Sequence, residues 1–170
     1  AGNPSALNSL SDYPSGNQNA SLARLELADI PDHARHLEAL DVLLVSDLDS
    51  GALRPAQVEA LAGWLASGGQ LLVMGGAGWQ KAAAGLQELL PFQPDGLNEI
   101  PELTFLADFA GYAEPPAEAA LVASGALAPD ARLLLAHEGQ PLAVSRAMGY
   151  GRAIYLAFDL AAEPLRSWPG

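Results

Sequence analysis

Two apolar runs joined by one amphipathic segment most limit what this chain can become. "DVLLVS" (41–46) and "QLLVM" (70–74) are almost continuously apolar, as strands covered on both faces are. Between them Pro55 opens a helix in which Val58, Leu61, Ala62 and Leu65 fall at i, i+3, i+4 and i+7. Gly68-Gly69 closes it. A strand, a helix and a second buried strand form a crossover unit, so the two strands are expected to run parallel. They should be neighbours or near neighbours, both well buried. "WQKAAAGLQELLP" reads as the next helix, ended by Pro91. "SLARLEL" reads as an earlier strand and "PDHARHLEAL" as a short helical turn. The alternation from 21 to 90 predicts a parallel sheet with helices on its faces. Ahead of it, Asn3 and Pro4 predict a short helix to about Leu10.

From residue 91 the pattern changes. "PFQPDGLNEIPEL" reads as a proline-broken loop. "TFLADF", "AALVAS", "RLLLAHE", "PLAVSRAM" and "RAIYLAFDL" are short strand candidates, and "EGQ" and "GYG" are candidate hairpin connections. The second half is therefore expected to extend the sheet with antiparallel strands. No internal repeat or domain boundary is visible, so 1–170 is read as one domain.

Charge narrows the function classes. The net charge is -12, with a single lysine, Lys81. Such a surface repels phosphate backbones, so no nucleic-acid partner is expected. Cysteine is absent, which removes disulfides, thiolate metal sites and cysteine nucleophiles. Residues 60–80 carry no charge, long enough for a membrane span. Six of them are glycine, however, and a helix followed by a buried strand fits better. The domain itself is not expected to span a membrane. "AGNPSALNSL" has neither a basic region nor an apolar core, so it is no signal peptide. The start at Ala1 predicts a chain cut from something longer. Asn19-Ala20-Ser21 matches a glycosylation sequon, relevant only in a eukaryotic secretory setting.

Several segments invite a chemical reading. "GGAGWQKA" lacks the spacing and the hydroxyl of a phosphate loop, and no third glycine completes a dinucleotide fingerprint. A nucleophile elbow needs Ser, Thr or Cys at the turn, and Gly75 to Gly78 supply none. The glycines are read as a tight strand-to-helix turn, with a backbone cradle for an anion as the sharper alternative. Asp47 and Asp49 follow the first buried run in an Asp-x-Asp, as in haloacid-dehalogenase-like phosphatases, but the second acidic cluster that chemistry needs is missing. His33 and His36 could share a metal, yet no third ligand is suggested, so no metal or other cofactor is expected. His137 is read as a surface histidine. Trp64 is expected to pack partially on the flank of its helix, and Trp79 and Trp168 could be exposed binding aromatics. The ligand-binding candidates are Asp47, Asp49, Gly76, Gly78, Trp79 and Asp159, with no catalytic residue among them.

"LDVLLVSDLDSGALRPAQVEALAGWLASGGQLLVMGG" resembles a stretch of class I glutamine-amidotransferase-like domains of the non-enzymatic sort. The resemblance rests on Leu53-x-Pro55-x-x-Val58, Trp64-Leu65-x-x-Gly68-Gly69 and the strand to Gly75-Gly76. "GYGRAIYLAFDL" resembles that group's closing hairpin and final strand. The likeness implies an α/β three-layer sandwich with a mainly parallel, flavodoxin-like sheet and an antiparallel β-rich C-terminal part. True amidotransferases carry a cysteine at the elbow and a His-x-Glu after a late strand. Here Gly75–Gly78 and Asp159 stand in those places. The resemblance therefore implies a non-catalytic interaction or ligand-binding module, extracytoplasmic, within a larger membrane-anchored bacterial protein. Its partner, protein or small molecule, is left open. The alternative is a hydrolase using Asp47, Asp49 or Asp159 at the carboxyl ends of the strands, where α/β sheets bind ligands.

Overall fold

The computed structural model describes residues 23–168. The expected helix at 4–10 and the sequon at Asn19 lie outside them. Seven strands and three α-helices follow in the order β1 (Val42–Val45), α1 (Pro55–Ala66), β2 (Gln70–Met74), α2 (Trp79–Ala83), β3 (Phe92–Ile100), α3 (Thr104–Ala110), β4 (Ala120–Leu127), β5 (Arg132–His137), β6 (Gln140–Met148) and β7 (Gly151–Leu156). Five strands form one mixed sheet in the order β1-β2-β7-β6-β5, and β3 and β4 pair separately as an antiparallel ribbon. β1, β2 and β7 run parallel, with Leu43 opposite Leu71 and Leu71 opposite Ala153. β6 and β5 add antiparallel.

This corrects the expected three-layer flavodoxin-like α/β sandwich. The molecule is mostly β, with few helices. Among the described residues only α1 runs beyond two turns, and no helical layer covers each face of the sheet. The expected helix over 79–91 stops at Ala83 for a visible reason. The buried Ser50 hydroxyl lies 3.0 and 2.9 Å from the Lys81 and Ala82 carbonyls and accepts the Gly85 N–H at 2.9 Å. A tertiary polar partner thus replaces part of the helical ladder. "PFQPDGLNEI" was expected as a loop and is the longest strand of the ribbon instead. Pro94 is accommodated at a register shift between Pro94 and Gly96. "TFLADF" was expected as a strand and is α3, closed by Gly111 at φ 75. "SLARLEL" forms no strand in its described part; Leu27–Asp29 is a 3-10 turn.

β1 and β2 pair as neighbours, but β1 is the edge of the sheet rather than its centre, and Val42 is 53% exposed. β2 sits between two parallel partners with Leu71 and Val73 fully buried. α1 turns a different stripe inward from the one its apolar periodicity suggests. Gln57, Ala60, Leu61, Trp64 and Leu65 are buried, while Val58 and Ala62 are half-buried. Trp64 is fully packed, not partially: its Nε1 donates to the Leu40 carbonyl at 3.0 Å. Gln57 is a polar residue at a core position. Its amide donates to the Leu27 and Ile30 carbonyls at 3.0 and 2.7 Å, which ties the preceding turn to the first turn of the helix.

The C-terminal hairpins follow from their turn residues. Glu138 and Gly139 both have positive φ, and Gly149 does so ahead of Tyr150. These are the two-residue turns whose twist suits paired strands. The ribbon reaches the sheet at the carboxyl end of β7, where the Ala123 N–H donates to the Ala157 carbonyl at 2.6 Å.

Candidate functional site

The carboxyl ends of the parallel strands β1, β2 and β7 bring together Ser46, the Gly75–Gly78 turn and Asp159. Ser46 Oγ lies 3.2 Å from both carboxylate oxygens of Asp159. Asp159 also accepts the Ala161 N–H at 2.8 Å, closing the turn after the strand. Gly76 has φ +66, and a side-chain carbon there would lie 3.1 Å from the Asp159 nitrogen. The glycine allows both the turn and the close approach of the last strand.

The turn spends its first amides on structure. Gly75 N–H donates to the Leu156 carbonyl at 2.8 Å, and Gly76 N–H to the Ala157 carbonyl at 2.9 Å. Those bonds extend the β2–β7 pairing and remove two donors from any anion cradle. Gly78 is exposed at the end of a 3-10 turn, and Trp79 starts α2, half-buried against the core. Asp47 follows Ser46 with φ 49, a left-handed conformation that aspartate tolerates better than most residues. Its side chain is exposed. Asp49 turns away to cap a 3-10 turn, accepting the Gly51 N–H at 3.2 Å. The strand ends thus unite Gly76 and Asp159 with Asp47 close in sequence, and leave Asp49 and Trp79 in other roles. Ser46 was missed. Its position directly before Asp47, at the end of a buried strand, was the available signal.

Beneath this turn sits Tyr155, fully buried and stacked on Phe92 with ring centroids 5.1 Å apart. Its hydroxyl has no hydrogen-bond partner among the described residues. Burial pushes its pKa far above the ordinary tyrosine value. A side-chain carbon at Gly75 would lie 2.3 Å from that hydroxyl.

Beyond Asp159 the chain enters an open crevice of about 690 Å³ between residues 112–118 and 163–168. Tyr112 and Trp168 form a tilted pair, centroids 5.6 Å apart with 58° between planes. Trp168 Nε1 donates to the Glu114 carbonyl at 2.9 Å and joins the two sides. Glu114, Glu118 and Glu163 also line the crevice. The Ser167 hydroxyl and the Arg166 guanidinium beside it hold the Glu163 carboxyl below its ordinary value. A second depression of about 650 Å³ near the β5–β6 turn includes His137, which stacks on Phe105 at 4.4 Å. His33 and His36 meet edge to face at 5.8 Å. Among the described residues no group of three or more His, Asp or Glu is placed to hold a metal ion.

Residues 22–165 match the family described as Domain of unknown function (DUF7408). No curated protein matches the sequence. Among solved structures, the cytoplasmic protein STM1381 of Salmonella typhimurium LT2 is similar, with a TM-score of 0.70 at 19% identity, covering 96% of this chain and 81% of that one. The cytoplasmic protein STM3548 of Salmonella typhimurium is similar with a TM-score of 0.59 at 19% identity, covering 84% and 72%. At such identity the likeness is one of fold. These two descriptions point to no catalytic family, and they say "cytoplasmic" of those proteins where an extracytoplasmic setting was expected here.

Proposed function

Because the chain belongs to the DUF7408 family, a domain of unknown function, we propose its role from the site itself: a non-catalytic interaction or ligand-binding module. The observation that carries this reading is how the polar groups at the strand ends are spent. Nucleophilic catalysis needs an attacking side chain and a base that can take its proton. Among the described residues the Ser46 hydroxyl hydrogen-bonds only the Asp159 carboxylate, which is also engaged by the Ala161 amide. Asp49 caps a turn, and the Gly75 and Gly76 amides pair with the β7 end. No histidine is bonded to Ser46 or Asp159 among the described residues.

The setting in a longer, membrane-anchored protein is supported by the resemblance of residues 40–80 to the non-enzymatic amidotransferase-like domains. No helix among the described residues is long and apolar enough to cross a membrane, so an anchoring helix would lie outside them. The test of the reading is an assay of glutaminase and ester hydrolysis on the purified domain. No turnover above background is expected. Turnover lost on Asp159→Asn or Ser46→Ala, in variants that still fold, would replace this reading with a hydrolase at the strand ends.

A further inference from the structure

We propose that the crevice between residues 112–118 and 163–168 binds an organic cation, a quaternary ammonium or guanidinium group carried on an apolar stem. The inference rests on the reading of the domain as a binding module and names the ligand chemistry.

Three observations converge. The crevice, at about 690 Å³, is within the range of small-ligand sites. Two of its walls are aromatic, Tyr112 and Trp168, set at an angle instead of stacked flat on each other. Tyr112 keeps 46% of its surface exposed, and Trp168 is half-buried. The Trp168 N–H is already taken by the Glu114 carbonyl. The indole N–H is therefore spent, and the part of the ring not packed on the core remains as the attractive surface. Aromatic faces draw cations through their negative quadrupole.

The third observation is charge. Glu163 is paired with Arg166, the Arg166 Nε lying 2.9 Å from its carboxylate. Among the described residues no basic side chain pairs with Glu114 or Glu118. All eight Lys and Arg residues of the chain lie between 24 and 166, so the remaining residues carry no basic side chain that could enter the crevice. A second copy would have to approach against a net charge of -12 on each molecule. The cation is therefore supplied from outside these 170 residues. The exposed Pro115 offers apolar surface for its stem. Proline also limits how far that wall can collapse.

The experiment follows the indole and backbone NMR signals of the full chain during titration with two cations. Choline is paired with its neutral isostere 3,3-dimethylbutan-1-ol, and N-acetylarginine amide with neutral N-acetylcitrulline amide. Trp168→Phe assigns the indole signal. The expected result is a saturable shift of the Trp168 indole N–H with one or both cations, and none of that size with the neutral partner. Which cation binds more tightly tells whether the source is a quaternary ammonium compound or an arginine side chain. Glu118→Gln and Tyr112→Leu should each weaken binding by about threefold, and added salt should weaken it further. Equal shifts with the neutral isosteres would overturn the proposal, as would no saturable shift or binding indifferent to both substitutions. Those results would leave the non-catalytic reading to its hydrolysis assay. Turnover in that assay would remove the binding-module reading even if cations bind.

Discussion

The chain after β7 enters two regions that use their polar groups in opposite ways. At Asp159 it closes the strand ends: the carboxylate takes Ser46 and Ala161, and the facing glycine turn hydrogen-bonds the last strand. A few residues later, at Glu163 to Trp168, it lines a crevice where Tyr112 is exposed, Trp168 is half-buried and two carboxylates have no basic partner among the described residues. The first region resembles an enzyme site by position and is built like a joint. The second has no catalytic residue pattern and is built like a receptor. Position in a sheet therefore says where a ligand could sit, and the state of the hydrogen bonds says whether anything is left to hold one.

The largest effect that could break the comparison belongs to the joint. Gly75→Ala would force a carbon to within 2.3 Å of the Tyr155 hydroxyl in a fully buried place. It should cost about 3 kcal/mol in urea denaturation, near the upper range for overpacking. Adding Tyr155→Phe should return part of that loss. A neutral Gly75→Ala would mean that the turn is not packed on the ring.

Next comes Gly76→Ala, at φ +66 and against the Asp159 backbone. The expected loss is about 1–2 kcal/mol, measured the same way. Activity in the hydrolysis assay should stay at background.

Tyr155→Phe alone should raise stability by about 1 kcal/mol, since it removes a buried hydroxyl without a partner. A loss of stability would show instead that the hydroxyl is hydrogen-bonded, for example to a buried water.

The smallest effect is electrostatic and belongs to the crevice. The Glu163 carboxyl is held below its ordinary value, so its contribution to stability is present above the unfolded-state pKa and is lost as pH falls through the lower folded value. Melting wild type and Glu163→Gln side by side should show a small gap at neutral pH that closes in strong acid. The pair is exposed, so salt should narrow the gap as well.

The crossover unit was the most legible part of the chain because each of its signals is local. Pro55 starts α1, Gly68 at φ 122 follows its end, and the runs on either side pair in parallel. The hairpins at Glu138-Gly139 and Gly149-Tyr150 were legible for the same reason. What failed depended on tertiary partners. The stop at Ala83 depends on Ser50, more than thirty residues earlier. The ribbon strand at 92–100 forms through pairing with 120–127, which overrides the turn signals of Pro94 and Gly96. The edge position of β1 follows from β7, the last strand, lying on the far side of β2. Sheet order of that kind is invisible to hydrophobic periodicity, and the three-layer expectation failed with it. The site was half legible. Gly76 and Asp159 were named for their places at strand ends, whereas their contact, Ser46 and the crevice around Tyr112 are products of long-range packing.

If the strand ends are spent and the aromatic crevice is available, ligand contacts fall in the crevice alone. Mapping backbone amide and indole shifts across a diverse library of small charged and neutral molecules tests it most directly. Saturable shifts should cluster at Tyr112, Glu114, Glu118 and Trp168, while Ser46, Gly76, Gly78 and Asp159 stay still. Shifts concentrated at Ser46, the glycine turn and Asp159, with the crevice silent, would contradict it.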